Sequence, residues 1–151
     1  MKANTRAITI QAPPDRVWPW IAQLGYGRAG FYTYDLLDNG GNRSATRVLD
    51  EYQELQPGDQ IPMWHEYHGL AIAYRVDSFA RNEWMLWVHR PHANESPDST
   101  WSWRLTPLPG GETRLVTRMR GRYNWKSPLV LPTLLMMEFG DIVMIRKELL
   151  G

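Results

Sequence analysis

Two alternating runs, Thr100–Pro107 and Thr113–Tyr123, flank Pro109-Gly110-Gly111, and no other part of the chain restricts the fold as much. Alternation of apolar and polar residues divides a strand into two faces. The Pro-Gly-Gly turn sends the second run back along the first, so the pair forms an antiparallel hairpin. Parity places Trp101, Trp103 and Leu105 on an inward face with Leu115, Thr117 and Met119, and leaves Arg104, Arg118 and Arg120 to solvent. A slip of one residue would exchange the faces and bury the arginines, so burial itself holds the register.

Similar runs recur about every ten residues between turn signals, the pattern of an antiparallel sheet. They are Arg47–Tyr52, Gln60–Trp64, Leu70–Phe79 and Trp84–Arg90, with turns at Gln56-Pro57-Gly58-Asp59, Ala80-Arg81-Asn82 and 92–98. An earlier run, Arg6–Gln11, carries Ile8 and Ile10 on one side and predicts a first strand. A helix follows it: Pro13 and Pro14 suit the first turn, Asp15 its positive end, and Val17, Ile21 and Leu24 a buried stripe that Gly25 can end. Pro19 removes one hydrogen bond from that helix. Beyond Gly25 an aromatic stretch leads into a short helix near Asp35.

The final segment, Leu129–Leu150, changes period. Leu135, Phe139, Ile142, Val143 and Leu149 form a wide apolar face, and Met136, Met137, Met144 and Ile145 cover much of the remainder, so this helix has to be enclosed. The sum is an α+β fold in one domain over 1–151, with short helices after the first strand and an antiparallel sheet curled around a long C-terminal helix. A chain of 151 residues can bury a core of this kind without disulfides or structural zinc.

Composition narrows the chemistry. The absence of cysteine removes thiolate metal sites and cysteine nucleophiles, and it fits a cytoplasmic location. No apolar run behind Met1-Lys2 marks a signal peptide. Ser127–Met137, uncharged but broken by two prolines, is about half the roughly 20 residues that a membrane span needs. A net charge of +1 argues against a nucleic-acid partner.

Gly25-Tyr26-Gly27-Arg28-Ala29-Gly30 spells a dinucleotide fingerprint, but a helix precedes it where a strand is required. It reads as a glycine-rich turn, with Tyr26, Arg28, Tyr32 and Tyr34 as candidates for a cavity entrance. The histidines pair as His65 with His68, around Glu66, and His89 with His92. Residues three apart in extended chain face opposite sides, so neither a metal nor another cofactor is expected. His89 stands apart because it shares a strand face with Met85 and Trp87, and an imidazole in an apolar wall has its charged form disfavoured and can exchange a proton. Glu138 and Asp141, three apart on the closing helix, form a second candidate proton shuttle.

Arg104, Arg114, Arg118, Arg120 and Arg122 make a basic face near Trp125. With Asp50, Glu51, Glu54 and Asp59 at hand for pairing, it reads as the wet side of the sheet, and as an RNA-binding or interaction surface only as a remote alternative. Eight Trp, seven Tyr and seven Met are harder to place on a surface. Tyr74, Met85, Trp87, Trp101 and Trp103, followed by Thr117, Met119 and Tyr123, fall on inward strand positions, and Met136 and Phe139 on the closing helix face them. A sheet wrapped around a single helix leaves space between the two, and such side chains line cavities for small apolar, cyclic or aromatic molecules.

Several phrases resemble one known superfamily: Ile10-Gln11-Ala12-Pro13-Pro14-Asp15-Arg16-Val17-Trp18, the stretch from Gln23 to Tyr32, Trp101-Ser102-Trp103-Arg104-Leu105 with Thr113-Arg114-Leu115, and Glu138-Phe139-Gly140-Asp141. In kind and order they are similar to the polyketide cyclase/dehydrase-like branch of the START/Bet v 1 (SRPBCC) superfamily. That resemblance implies a helix-grip fold over nearly the whole chain. It implies less about activity, since the superfamily holds lipid carriers, hormone receptors and cyclases alike. The expectation is a carrier or binding protein for a small hydrophobic molecule. The alternative is a cofactor-independent cyclase, dehydratase or isomerase using His89 or Glu138/Asp141.

Overall fold

The computed structural model describes residues 2–63, 73–90 and 96–122. Among them it shows an α+β architecture whose six strands form one antiparallel sheet: β1 (Lys2–Ile10), β2 (Gln60–Pro62), β3 (Ala73–Ala80), β4 (Trp84–His89), β5 (Ser99–Leu108) and β6 (Glu112–Gly121). Their spatial order is β1-β6-β5-β4-β3-β2. The closing helix expected over Leu129–Leu150 lies outside the described residues.

The β5–β6 hairpin has the anticipated register. Trp101 lies opposite Met119, Trp103 opposite Thr117 and Leu105 opposite Leu115. Trp101, Trp103, Leu105, Leu115 and Thr117 are buried and Met119 half-buried, while Arg104, Arg118 and Arg120 are exposed. β1 is longer than its apolar alternation alone indicates. It pairs with β6 from Lys2 opposite Gly121 to Ile10 opposite Thr113, because β6 would otherwise present a row of unpaired backbone groups that even the polar Asn4 and Thr5 can satisfy.

Helix α1 spans Pro14–Ala22 and presses Val17, Trp18, Ile21 and Ala22 into the core. Pro19 is accommodated inside it, since burial of this face outweighs one missing hydrogen bond in so short a helix. The helix leaves several C-terminal carbonyls without partners of their own, and side chains from later in the chain supply them. Gln53 Nε2 donates to the carbonyl of Pro19 (3.2 Å), the Tyr32 hydroxyl to that of Trp20 (3.2 Å) and Arg28 Nη2 to that of Ala22 (2.9 Å). The short helix α2 occupies Asp35–Asp38.

One expected strand is absent. Arg47–Tyr52 has no sheet partner; it runs as loop into a 3-10 turn at Asp50–Tyr52. The physical reason is Gln23, a fully buried side chain whose Oε1 accepts the Leu49 N–H (2.8 Å) while its Nε2 donates to the Arg47 carbonyl (3.1 Å) and to the Tyr32 hydroxyl (2.7 Å). A side chain thus takes the backbone groups that a neighbouring strand would have used.

β3 carries a bulge between Val76 and Ser78. The extra residue shifts parity, so Tyr74 and Val76 point inward before it and Phe79, opposite Met85, packs on Trp18 after it, at 5.9 Å between ring centroids.

Candidate functional site

The inner face of β4 and β5 is an aromatic wall. Cross-strand pairing sets Met85 opposite Trp103 and Trp87 opposite Trp101, and brings three indoles together in the middle of the sheet. Ring centroids of Trp87 and Trp103 are 4.1 Å apart, of Trp101 and Trp103 4.6 Å, and of Trp87 and Trp101 5.7 Å. Tyr74 from β3 meets Trp101 edge-on at 6.3 Å, and Phe31 stacks on Trp101 at 6.2 Å from the loop that follows the Gly25–Gly30 turn. All three indoles are buried.

Their polar atoms are not treated alike. Trp101 Nε1 donates to Thr117 Oγ1 at 2.7 Å, a buried bond across the hairpin. Trp87 Nε1 is buried and has no acceptor among the described residues. An enclosed donor without a partner costs about 1–3 kcal/mol, and of the wall's indole N–H groups this is the one so placed.

Where the wall reaches the end of β4 it becomes polar. His89 Nδ1 lies 2.8 Å from Asp98 Oδ1, and the two side chains keep 27% and 39% of their surface exposed. The Asp98 N–H also donates to the His89 carbonyl (3.1 Å), which locks the two residues side by side where β4 and β5 meet. A carboxylate only accepts, so in this contact Nδ1 carries the proton, and the lone pair of the uncharged form of the ring is at Nε2. Next to this pair the Tyr74 hydroxyl donates to Ser99 Oγ (3.0 Å), and the Tyr74 and His89 rings are 6.1 Å apart. His89 therefore sits on the face shared with Met85 and Trp87, as alternation requires, but its surroundings are half polar where the sequence promised an apolar wall. The sequence alone does not single out Asp98. It lies in a stretch that reads as a turn, and only the antiparallel return of the chain brings it back to His89.

Among the other residues singled out in the sequence, Tyr74, Met85, Trp87, Trp101, Trp103, Thr117 and Met119 share the inner face. Tyr123, Met136, Glu138, Phe139 and Asp141 lie outside the described residues, as do His65, Glu66, His68 and His92.

Of the four residues assigned to an entrance, Tyr26 is half-buried against the core. Tyr32 and Arg28 serve the end of α1, and Tyr34 is exposed. Arg28 also lies over the Tyr52 ring, 4.5 Å from its centroid. Burial lowers the Arg28 pKa from its ordinary value, opposed by Tyr52 and Asp59. A guanidinium is suited to that place, because it meets the negative end of a helix.

The glycine-rich turn follows a helix, as its sequence context indicates, and Gly25 and Gly30 form a bridge with φ of +138° and +77°. A Cβ at Gly30 would come within 2.5 Å of Ser44 Oγ. Close packing explains that glycine without a nucleotide.

On the outer face, Arg104, Arg114, Arg118 and Arg120 are exposed and form no ion pair among the described residues. The acidic residues expected to neutralise them, Asp50, Glu51, Glu54 and Asp59, belong to the 3-10 turn and the approach to β2 instead.

No protein-family model matches this sequence, and no curated protein matches it. Solved structures of similar shape exist. The Mll3558 protein from Rhizobium loti is 17% identical, with 98% of this chain and 94% of that one covered at a TM-score of 0.58. Protein Ms6760 from Mycobacterium smegmatis is 16% identical over 97% and 85%, at 0.56. The Aha1 dimer from Colwellia psychrerythraea is 14% identical over 96% and 98%, at 0.50. At such identities the likeness is one of fold. Among the described residues no helix is long and apolar enough to cross a membrane.

Proposed function

We propose that this chain is a helix-grip protein of the SRPBCC kind that binds a small, flat, hydrophobic molecule against the inner face of its sheet. The observation that carries the reading is the Trp87–Trp101–Trp103 wall ending in the Tyr74/Ser99 and His89/Asp98 pairs. Large rings supply most of the contact area for an apolar ligand, and a few polar groups at one end orient it. Titration with naphthalene or fluorene, followed by tryptophan fluorescence and by thermal unfolding, tests it. Binding to the folded state alone contributes about 2.7 kcal/mol of stability at a ligand concentration a hundred times Kd, which raises Tm by roughly 5–10 °C for a chain of this size. Neither quenching nor a shift across a panel of apolar rings would mean that the wall is core and nothing more.

One contact favours a second reading. The His89–Asp98 pair is a histidine held in one tautomer by a carboxylate, the arrangement of a general base. A ligand whose acidic C–H reached Nε2 could be deprotonated there and reprotonated at a different carbon, an isomerisation that needs no cofactor.

A further inference from the structure

The three indoles of the wall differ in one respect that packing does not explain. Trp101 has its N–H bonded to Thr117, so its ring is complete as a core residue. Trp87, centred between Tyr74, Trp101 and Trp103, is entirely buried and its N–H meets no acceptor among the described residues. If filling space were all that this position required, phenylalanine or leucine would do so without enclosing a bare donor.

We infer that Trp87 Nε1–H is the hydrogen-bond donor that recognises the bound molecule, and that this molecule carries a neutral oxygen acceptor of the carbonyl type on a flat apolar frame. The inference rests on the reading that the wall receives a ligand, and it adds the chemistry by which one ligand is chosen over another. A neutral acceptor fits because the donors that the middle of the wall offers are themselves neutral: the indoles of Trp87, Trp101 and Trp103 and the hydroxyl of Thr117, with Trp101 and Thr117 already bonded to each other. A carboxylate brought among them would lose its hydration without meeting a cation. A hydrocarbon would leave the Trp87 donor as bare as before. Specificity then arises as in other buried polar sites, where the analogue that lacks the matching atom leaves a protein group unpaired.

The test compares 2-acetylnaphthalene with 2-ethylnaphthalene, two probes of nearly equal shape that differ in the carbonyl oxygen. Calorimetric titration of the wild-type chain is expected to give about tenfold tighter binding of the acetyl compound. In Trp87→Phe the two should bind within about threefold of each other. Trp101→Phe should keep the preference, since its N–H is already bonded. A measurement that needs no variant accompanies this: in a ¹⁵N–¹H spectrum of the wild-type protein, the acetyl compound should shift one indole N–H resonance downfield and the ethyl compound should not. Equal affinities in the wild type, or a preference that survives Trp87→Phe, would overturn the inference while leaving ligand binding intact. Failure of both probes to bind would overturn the ligand reading itself, and the inference with it.

Discussion

Gln23 illustrates how much one side chain decides. It is fully buried, yet it replaces sheet pairing for the segment around Leu49 and steadies the Tyr32 hydroxyl that caps the end of α1. Gln23→Ala strips partners from the Leu49 N–H and the Arg47 carbonyl, about 0.5–1.5 kcal/mol each, and empties a fully buried site of its side chain, about another 1 kcal/mol. A loss of about 2–4 kcal/mol in urea unfolding is expected, with the slope unchanged. At the rim, His89→Gln keeps a polar side chain beside Asp98 but cannot accept a proton as imidazole does. On a substrate that the protein isomerises, it should lower kcat by about a hundredfold with little change in binding, and unchanged turnover would leave the pair a purely structural one.

The two residues were not equally legible. His89 could be found from alternation alone, because period two assigns its face. Gln23 could not, since its role depends on groups 24 and 26 residues further along the chain. Trp87 lies between these cases: its inward position follows from parity, whereas its unpartnered N–H is visible only once its neighbours are in place.

Among the elements, β4, β5 and β6 were readable to within a residue or two, whereas β1 starts four residues before Arg6, and the Pro-Gly-Gly turn fixed the register of β5 on β6. Arg47–Tyr52 misled because Val48 and Leu49 imitate a strand, while no local signal reveals that a side chain has claimed its backbone. The bulge near Asp77 was likewise silent, since one extra residue leaves an apolar run apolar. The topology carries its own expectation. β5 and β6 are each hydrogen-bonded along both sides, whereas β2 is a three-residue strand whose one strand partner among the described residues is β3, with a single further backbone bond from the Tyr26 N–H to the Pro62 carbonyl. Hydrogen exchange followed by mass spectrometry should therefore find the slowest amides in β5 and β6 and much faster exchange in β2. Equal protection of β2 would show that more than β3 and the Tyr26 N–H covers it.

For the molecule as a whole, a net charge of +1 conceals an uneven distribution. Arg114, Arg118 and Arg120 alternate along one strand with Arg104 on the next, all exposed and without ion-pair partners among the described residues. Residues two apart on a strand are about 7 Å apart, inside the roughly 10 Å screening length of 0.1 M salt, so these charges repel one another. Arg118→Gln with Arg120→Gln should accordingly leave stability within about 0.5 kcal/mol or raise it slightly. It should also weaken the stabilisation that the wild type gains as sodium chloride rises from low to moderate concentration, measured by thermal unfolding. A clear loss of stability in the double variant would mean that the face is partnered after all.

The pairing of β1 with β6 bears on how the chain is made. Thr113 Oγ1 donates to the carbonyl of Ala12, 101 residues back along the sequence. A ribosome adding about 5–20 residues per second needs roughly 5–20 s to traverse that interval. For all that time the first strand is outside the exit tunnel with no mate, an alternating segment with open backbone groups on both edges. Its partner follows about a hundred residues later, so closure of the sheet waits until β6 has emerged, and long-range strand pairing of this kind folds in milliseconds to seconds. Nascent chains arrested just short of Thr113 should thus be the species most prone to capture by chaperones or by one another.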